Sequence, residues 1–309
     1  AEAGDADAQN RLGVRYEYGQ GVNQDYTEAA RMFKLSAEQG HAKAQVNLAE
    51  FYKDGIGVEQ DYNKAFNLLQ IAAEQSAPLA YFYLGVFYLN GYGISIDYDQ
   101  AYKWFLLAAD DGNPDALHNI AYMYRNGLGR EADTEEAIIW YKRAAEKGDQ
   151  DSLSIIGDIY KDGEGVPQDY CESFKWYKQA AEKGDSYSQG YIGYYFEEGL
   201  GVAADYLQAI EWYQKACDNG NEVAAFNIGV LYENGLGVIQ DHTTALNYFR
   251  KSADMGYTPA MTQVGKKYQW GEGVEVDIEQ AKYWLIKAFE NGEIEAANDL
   301  GCLEKGDKA

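Results

Sequence analysis

Residues 185–220 read DSYSQGYIGYYFEEGLGVAADYLQAIEWYQKACDNG, and this 36-residue unit organises the whole chain of 309 residues. Its paired glycines, Gly199 and Gly201, have counterparts in seven other places, each 36 residues from the next. An aspartate follows every pair in the same register. These aspartates are Asp25, Asp61, Asp97, Asp133, Asp169, Asp205, Asp241 and Asp277. A period of this length predicts an array of stacked structural repeats.

We place eight repeats of 36 residues between positions 5 and 292. Residues 1–4 match the last turn of a repeat's second helix, so we expect them to be the end of a truncated preceding repeat. Residues 293–309 resemble a lone first helix with Glu304 at the core tyrosine position, and we expect a polar C-terminal capping helix there. The repeats are 5–40, 41–76, 77–112, 113–148, 149–184, 185–220, 221–256 and 257–292.

Each repeat is predicted to contain two amphipathic helices. In the first helix, Ala8, Leu12 and Tyr16 lie on one stripe at helical spacing. The glycine pair can adopt positive φ and end this helix, and the following aspartate can cap the second. Because one flank of each hairpin stays apolar, neighbouring hairpins must stack, which predicts an all-α solenoid rather than two globular domains. The stripe of the second helix consists of Ala29, Met32, Phe33, Ser36 and Ala37.

The repeat resembles a known family. Its pattern, A-x-x-x-LG-x-x-Y-x-x-G-x-GV-x-x-D-x-x-x-A-x-x-W-x-x-x-AA-x-x-G, is similar to the Sel1-like repeat, a relative of the tetratricopeptide repeat, over essentially the whole chain. The resemblance implies a right-handed α-solenoid superhelix of antiparallel helical hairpins, whose first helices line a concave face that binds partners. Repeat six carries the pattern as Ile192-Gly193, Phe196, Gly199-Leu200-Gly201-Val202, Asp205, Ala209, Trp212, Ala216-Cys217 and Gly220.

The resemblance also implies a class of function. Sel1-like repeat proteins are similar to one another in serving as assembly platforms, either in eukaryotic membrane-associated degradation complexes or in bacteria, where several are exported and engage host proteins during infection. The near-uniform unit resembles the bacterial, virulence-associated branch. In one bacterial branch a disulfide cross-links each repeat, but Cys171, Cys217 and Cys302 do not form the cysteine pair per repeat that this requires. The ligands of that branch are therefore not carried over, and the redox compartment stays open.

The charge of the chain excludes one class of partner. Its 26 Lys and Arg residues against 50 Asp and Glu residues give a net charge of −24 and a pI near 4.4. Nucleic-acid binding needs clustered cations, and no cationic run of that size occurs. The sequence also shows no apolar stretch of the roughly 20 residues that span a bilayer and no signal peptide. We expect no nucleic-acid partner and no transmembrane segment.

The residue combinations of catalytic and metal sites are missing from the sequence. His41, His118 and His242 have no serine, cysteine or second histidine at a spacing that predicts a triad or a metal site. The Gly-x-Gly pairs lack the third glycine and the preceding strand of a dinucleotide-binding site, and their eight copies favour a structural role. We therefore predict no enzyme activity, no cofactor and no bound metal.

Aromatic residues outside the repeated core positions mark a candidate binding surface. Five tryptophans share one second-helix position and are assigned to the core, whereas Trp270 stands where the other repeats have mostly polar residues. First-helix positions equivalent to 7, 11, 14 and 18 point away from the core stripe and carry tyrosine interleaved with asparagine, which suits an extended peptide. Alternatively, these groups fill the narrow interior of a tight superhelix. The predicted partner-binding residues are Asn47, Tyr83, Asn119, Tyr122, Tyr187, Tyr191, Tyr194, Asn227 and Trp270.

We expect a monomeric, non-enzymatic adaptor that binds a protein or peptide segment on its concave face, with host proteins among the candidates. Its location is predicted as secreted or periplasmic in a bacterium, or delivered to a host cell, with the signal peptide outside this sequence. One alternative is a periplasmic enzyme or a binder of a small molecule or cell-wall fragment that uses the tyrosine-lined channel. Another is a subunit of a eukaryotic degradation adaptor. The acidic excess either prevents aggregation or steers a basic partner toward the surface.

Overall fold

The computed structural model describes residues 4–306, except for the side chains at positions 302 and 304–306. The expectation for residues 1–4 therefore meets the structure only at Gly4, whose φ of 87° is close to the 84° of Gly40. Glu304, the expected polar residue of the cap, lies outside the described side chains, as do residues 307–309 of the predicted capping segment. Over 4–306 the chain forms 17 α-helices and no β-strand.

Over the described range, none of the helices combines the length and the apolar character needed to cross a membrane.

First and second helices alternate along the chain, and the short turns between them contain the paired glycines. The first helices are α1 (Ala6–Tyr18), α3 (Ala42–Asp54), α5 (Pro78–Asn90), α7 (Pro114–Asn126), α9 (Asp151–Asp162), α11 (Ser186–Glu198), α13 (Glu222–Asn234), α15 (Thr258–Trp270) and α17 (Glu295–Gly306). The second helices are α2 (Tyr26–Ala37), α4 (Tyr62–Glu74), α6 (Tyr98–Asp110), α8 (Thr134–Glu146), α10 (Tyr170–Glu182), α12 (Tyr206–Asp218), α14 (His242–Asp254) and α16 (Ile278–Glu290).

The chain divides into two compact units, Ala1–Ser152 (unit 1) and Leu153–Ala309 (unit 2). Inside unit 1, α5 packs on α6, and α6 packs on the next first helix, α7. Inside unit 2, α11, α12 and α13 pack in the same order. Each unit is thus a stack of helical hairpins, and the predicted fold class, an all-α solenoid of such hairpins, is confirmed.

Two glycines and one aspartate shape the turn inside each hairpin, as repeat six shows. Gly199 ends α11 in the left-handed conformation with φ 71°. A Cβ on Gly201 would lie 2.4 Å from the backbone oxygen of Tyr170 in the preceding repeat, so no larger residue fits. The carboxylate of Asp205 accepts hydrogen bonds from backbone N–H groups in the first turn of α12. All eight repeated aspartates cap their helices in this way.

The two helices of a hairpin approach each other at a small residue of the first helix. A Cβ on Gly193 would lie 2.6 Å from the Tyr213 ring, and a Cβ on Gly85 would lie 2.5 Å from the Phe105 ring. Both rings are buried. A larger side chain at either glycine would therefore force the helices apart.

The five tryptophans that were assigned to the core are not buried to the same depth. Trp284 is buried at 6 % exposure. The other four are half-buried, and Trp104 stacks on Tyr81 with ring centroids 5.8 Å apart. These indoles pack against neighbouring helices while one edge stays open to solvent.

Candidate functional site

Four of the predicted binding residues in unit 2 surround one cavity. The cavity has a volume of about 460 Å³ and lies between α11 and α13. We call it the tyrosine pocket. It is lined by Tyr187, Gly190, Tyr191, Tyr194, Tyr213, Asn221, Val223, Ala224 and Asn227.

The pocket exists because Gly190 has no side chain. Every other repeat has a side chain at this first-helix position, and in repeat three it is Phe82, whose ring lies 6.0 Å from that of Phe105. Tyr213 occupies the place of Phe105 in repeat six, and there no aromatic ring stands at the position of Phe82. A glycine inside a helix destabilises that helix by roughly 0.5–1 kcal/mol relative to alanine, so the glycine that opens the pocket also weakens α11.

Helices α9 and α10 hold the tyrosine wall in place. The Tyr191 ring stacks on Tyr177 with centroids 4.8 Å apart and planes 4° from parallel. Lys161 Nζ lies 4.4 Å from the centre of the Tyr191 ring and 2.8 Å from Asp158 Oδ1. The hydroxyl of Tyr187 donates to the same Asp158 oxygen at 3.0 Å. These contacts fix two of the four tyrosines before any ligand arrives.

The floor and the mouth of the pocket differ in polarity. On the floor, the Tyr213 hydroxyl donates to Glu197 Oε2 at 2.7 Å. The amide nitrogen of Asn221 donates to the backbone oxygen of Ser186 at 3.1 Å. At the mouth, Tyr194 and Val223 are 41 % and 39 % exposed. A ligand would therefore meet apolar surface first and hydrogen-bonding groups deeper inside.

The tyrosine hydroxyls of the pocket wall are suited to binding a ligand rather than to transferring protons. Burial raises the pKa of Tyr187, Tyr194 and Tyr213 above the ordinary tyrosine value. Their hydroxyls therefore stay protonated at neutral pH. Tyrosine, asparagine, valine, alanine and glycine make up the lining, and none of them titrates near pH 7.

Two predicted residues of unit 1, Asn47 and Tyr83, form side-chain hydrogen bonds to the preceding repeat. Asn47 donates its amide to Asn10 Oδ1 at 3.1 Å and lines a separate, polar cavity of about 310 Å³. Glu50 lines the same cavity and accepts a short hydrogen bond from the hydroxyl of Tyr83. Burial, followed by this bond, raises the pKa of Tyr83. The ring of Tyr83 also lies 5.7 Å from Lys53 Nζ.

The remaining predicted residues line neither the tyrosine pocket nor the polar cavity. Asn119 donates its amide to the backbone oxygen of Asp115 in its own helix at 2.7 Å. Tyr122 is 45 % exposed on α7 in unit 1. Trp270 is 56 % exposed at the end of α15 and does not line the tyrosine pocket of its unit.

Another cavity in unit 1 was not predicted. It has a volume of about 450 Å³ and lies beside α2, α3 and α4, where Tyr52, Leu68 and Ile71 contribute to its wall. Leu68 stands at the second-helix position that carries tryptophan in five other repeats, so a smaller side chain again leaves space. Comparing equivalent positions across repeats could have found both Leu68 and Gly190.

His118 has partners that the sequence analysis did not predict. Its Nδ1 lies 2.8 Å from Asp149 Oδ2, and the hydroxyl of Ser152 donates to the same carboxylate oxygen. A serine nucleophile must reach substrate with the imidazole as its base, whereas Ser152 is fully buried and directed at Asp149. The group is therefore a structural contact between neighbouring repeats. Among the side chains that the structure describes, no three from His, Cys, Asp or Glu converge as metal ligands would.

The model of one protein family, the Sel1 repeat, matches nearly the whole chain. The matched segments contain the helical hairpins described above. They are residues 6–41, 42–76, 78–113, 114–149, 151–185, 186–221, 223–257 and 258–293. A comparison with curated proteins finds no match.

Two solved structures are similar to this chain over 98 % of its length. One is a protective antigen present in uropathogenic Escherichia coli strains that displays the Sel1-like repeat fold, with 35 % identity and a TM-score of 0.79. The chain spans 65 % of that antigen, less than two thirds of its length. The other is a Sel1 repeat protein from Oxalobacter formigenes, with 30 % identity, a TM-score of 0.77 and 88 % of its length covered.

Proposed function

We propose that this chain, which belongs to the Sel1 repeat family, binds a segment of another protein through its first helices and holds one side chain of that segment in the tyrosine pocket. Proteins built from Sel1 repeats generally mediate protein–protein interactions, and their scaffold is generally non-catalytic. The observation that carries the proposal is the cavity of about 460 Å³ that Gly190 opens among four tyrosines.

The pocket has the physical properties of an anchor site. Its volume falls within the range of about 300–1,000 Å³ that is common for ligand cavities. A side chain that entered it would be desolvated against tyrosine rings, which is the typical environment of an interface hot spot. Asn227 can hydrogen-bond the backbone of an extended segment. Because Tyr187 is already held by α9 and Tyr191 by α10, little side-chain entropy is lost on binding.

The experiment uses a displayed library of random peptides selected on the full chain. Selected peptides should bind the wild type and lose at least about tenfold in affinity for Gly190→Phe, which fills the pocket, and for Tyr194→Ala, which removes its mouth. The matched control is Tyr283→Ala on α16, because Tyr283 is 55 % exposed and lies outside the pocket. Thermal unfolding followed by circular dichroism checks that all three variants are folded.

Three results would contradict the proposal. Peptides that bind Gly190→Phe and the wild type equally would place the contact elsewhere. A variant that loses binding only because it melts at a much lower temperature would make the tyrosines packing residues. Binding of a cell-wall saccharide in the pocket, with no peptide selected, would favour the small-molecule alternative.

We also propose that the protein is a monomer exported by a bacterium, secreted or periplasmic, with a host protein as partner. The 35 % identity to a protective antigen of uropathogenic E. coli supports this proposal. Screening an array of human proteins and an array of bacterial envelope proteins, each against the wild type and Gly190→Phe, tests the partner class. Pocket-dependent partners found only among the envelope proteins would contradict the host-directed part, and a dimer in sedimentation would contradict the monomer.

A further inference from the structure

Two carboxylates without a counterion stand beside the tyrosine pocket. Glu197 accepts a hydrogen bond from the hydroxyl of Tyr213 on the pocket floor, and Glu198 is the exposed last residue of α11. Neither carboxylate forms an ion pair within the described part of the chain. After burial, the negative charges of Glu198 and Glu197 contribute to the raised pKa of Tyr194. Their field therefore reaches the pocket wall.

The cation that contacts the wall is already neutralised. Lys161 Nζ lies 2.8 Å from Asp158 and 3.7 Å from Asp162. Its position 4.4 Å from the centre of the Tyr191 ring shows that this group of tyrosines accommodates a cation. The lining of the pocket itself contains neither lysine nor arginine. A positive charge that entered the pocket would thus meet negative charge and aromatic rings, while Lys161 is already paired with Asp158.

We propose that the side chain held in the tyrosine pocket is an arginine of the bound protein segment. This proposal rests on the proposed function and narrows its partner to a basic segment. Guanidinium stacks on tyrosine rings and pairs with carboxylates through several N–H donors, so it can use both features of the site at once. The net charge of −24 acts in the same direction, because it attracts basic segments and repels acidic ones.

A neutral anchor would use only part of this site. Leucine or phenylalanine would bury apolar surface against the tyrosines but would leave Glu197 and Glu198 without a counterion. Citrulline has nearly the shape and hydrogen-bonding groups of arginine but carries no charge. The arginine–citrulline difference therefore measures the charge alone.

The probes are two acetylated and amidated pentapeptides, Gly-Ser-Arg-Ser-Gly and the same sequence with citrulline at the centre. Saturation-transfer NMR titrations on the full chain at low ionic strength give their affinities. We expect the arginine peptide to bind at least about tenfold more tightly, as a desolvated cation on aromatic rings should. In the double variant Glu197→Gln, Glu198→Gln, the preference should fall to about threefold or less, because the arginine peptide loses more affinity than the citrulline peptide. The charge-matched control, Glu211→Gln with Glu290→Gln on second helices, should keep the full preference.

Each contrary outcome overturns the proposal in a distinct way. Equal affinities for the two peptides, or tighter binding of a leucine pentapeptide, would make the anchor neutral while leaving peptide binding in the pocket intact. An arginine preference that survives Gly190→Phe would come from the acidic surface in general. If no pentapeptide binds at concentrations up to about 10 mM but a β-1,4-linked N-acetylglucosamine trisaccharide does, the proposed function fails together with this inference.

Discussion

The gap between α5 and α7 in unit 1 and the gap between α11 and α13 in unit 2 contain equivalent residues with different outcomes. Tyr83 in the first gap corresponds to Tyr191 in the second, and both rings have a lysine from the preceding repeat close by, at 5.7 and 4.4 Å. The decisive difference is one position, where the Phe82 ring packs near Phe105, whereas Gly190 leaves a cavity that Tyr213 lines. A repeat scaffold can therefore gain a binding pocket by losing one side chain.

The comparison also separates two kinds of glycine on α11. Gly193 is required by the approach of Tyr213, which leaves no room for a Cβ, and the same close contact recurs at Gly85. Gly190 faces a cavity, and a Cβ there would meet only the Asn221 amide nitrogen, at 3.2 Å. Gly193 thus maintains the scaffold, whereas Gly190 maintains the pocket.

The largest effect is expected from Gly193→Val, which should lower the free energy of unfolding by about 3 kcal/mol because the added atoms collide with a buried ring. Gly190→Ala, three residues away, should change it by less than about 1 kcal/mol, since better helix propensity offsets the adjustment of Asn221. Urea unfolding of both variants measures the contrast. Equal losses would mean that the two glycines have the same structural role.

Phe82→Gly tests the comparison from the other side and should lower the free energy of unfolding by about 2–3 kcal/mol. The variant loses the contact with Phe105 and gains a helix-interior glycine, but Phe82 is only half-buried, so the loss is smaller than for a full core ring. Phe82→Leu keeps most of the volume and should lose less than about 1.5 kcal/mol. If both variants unfold like the wild type, the Phe82 ring contributes no packing to this gap.

The fold could be predicted from the sequence because its determinants repeat. A glycine pair and a capping aspartate recur in the same register in eight repeats, and each has a local physical task that does not depend on the partner helices. The structure adds a close contact that local reasoning does not predict. Gly201 lies against the backbone of Tyr170, 31 residues earlier, and this proximity follows only from the stacking of hairpins.

The site was predicted only in part because a pocket depends on what is absent as well as on what is present. Tyr187, Tyr191, Tyr194 and Asn227 were predicted from the first-helix surface, and they line one cavity. Gly190 lies off the positions used for that prediction. Tyr213 is also a core residue, and Asn221 is also the N-cap of α13. Because these structural roles explain both residues within the repeat, the sequence analysis did not assign them to the pocket wall.

Inter-repeat polar contacts were missed for a related reason. His118 and Asp149 are 31 residues apart, and their contact at 2.8 Å requires the exact stacking of two neighbouring repeats. Burial raises the pKa of Asp149, but the hydrogen bonds from His118 and Ser152 outweigh burial and lower this pKa below its ordinary value. Such pairs are visible in sequence only when equivalent positions are compared between adjacent repeats, rather than within one repeat.

The smallest predicted effect concerns the floor of the pocket, where Tyr213 contacts Glu197 but the equivalent residues of repeat three are Phe105 and Leu89. Burial raises the pKa of Glu197, although the hydrogen bond from Tyr213 partly opposes this shift. A carboxyl group with a higher pKa when folded binds protons more readily in the folded state. Stability is therefore lost as the pH rises from the unfolded value, about 4.3, through the raised folded value.

Glu197→Gln removes this dependence while keeping an acceptor for the Tyr213 hydroxyl. The variant should be more stable than the wild type at pH 7 by up to about 1 kcal/mol, and most of the difference should be lost near pH 4, where the carboxyl group is mostly protonated in both states of the wild type. Urea unfolding at pH 4, 5.5 and 7 measures it, with Glu198→Gln as the control for loss of one exposed charge. A variant less stable than the wild type at pH 7 would mean that the Glu197–Tyr213 bond outweighs the burial of the carboxylate. The floor of the tyrosine pocket would then be held together by that charge, and a cationic ligand would have to compete with Tyr213 for it.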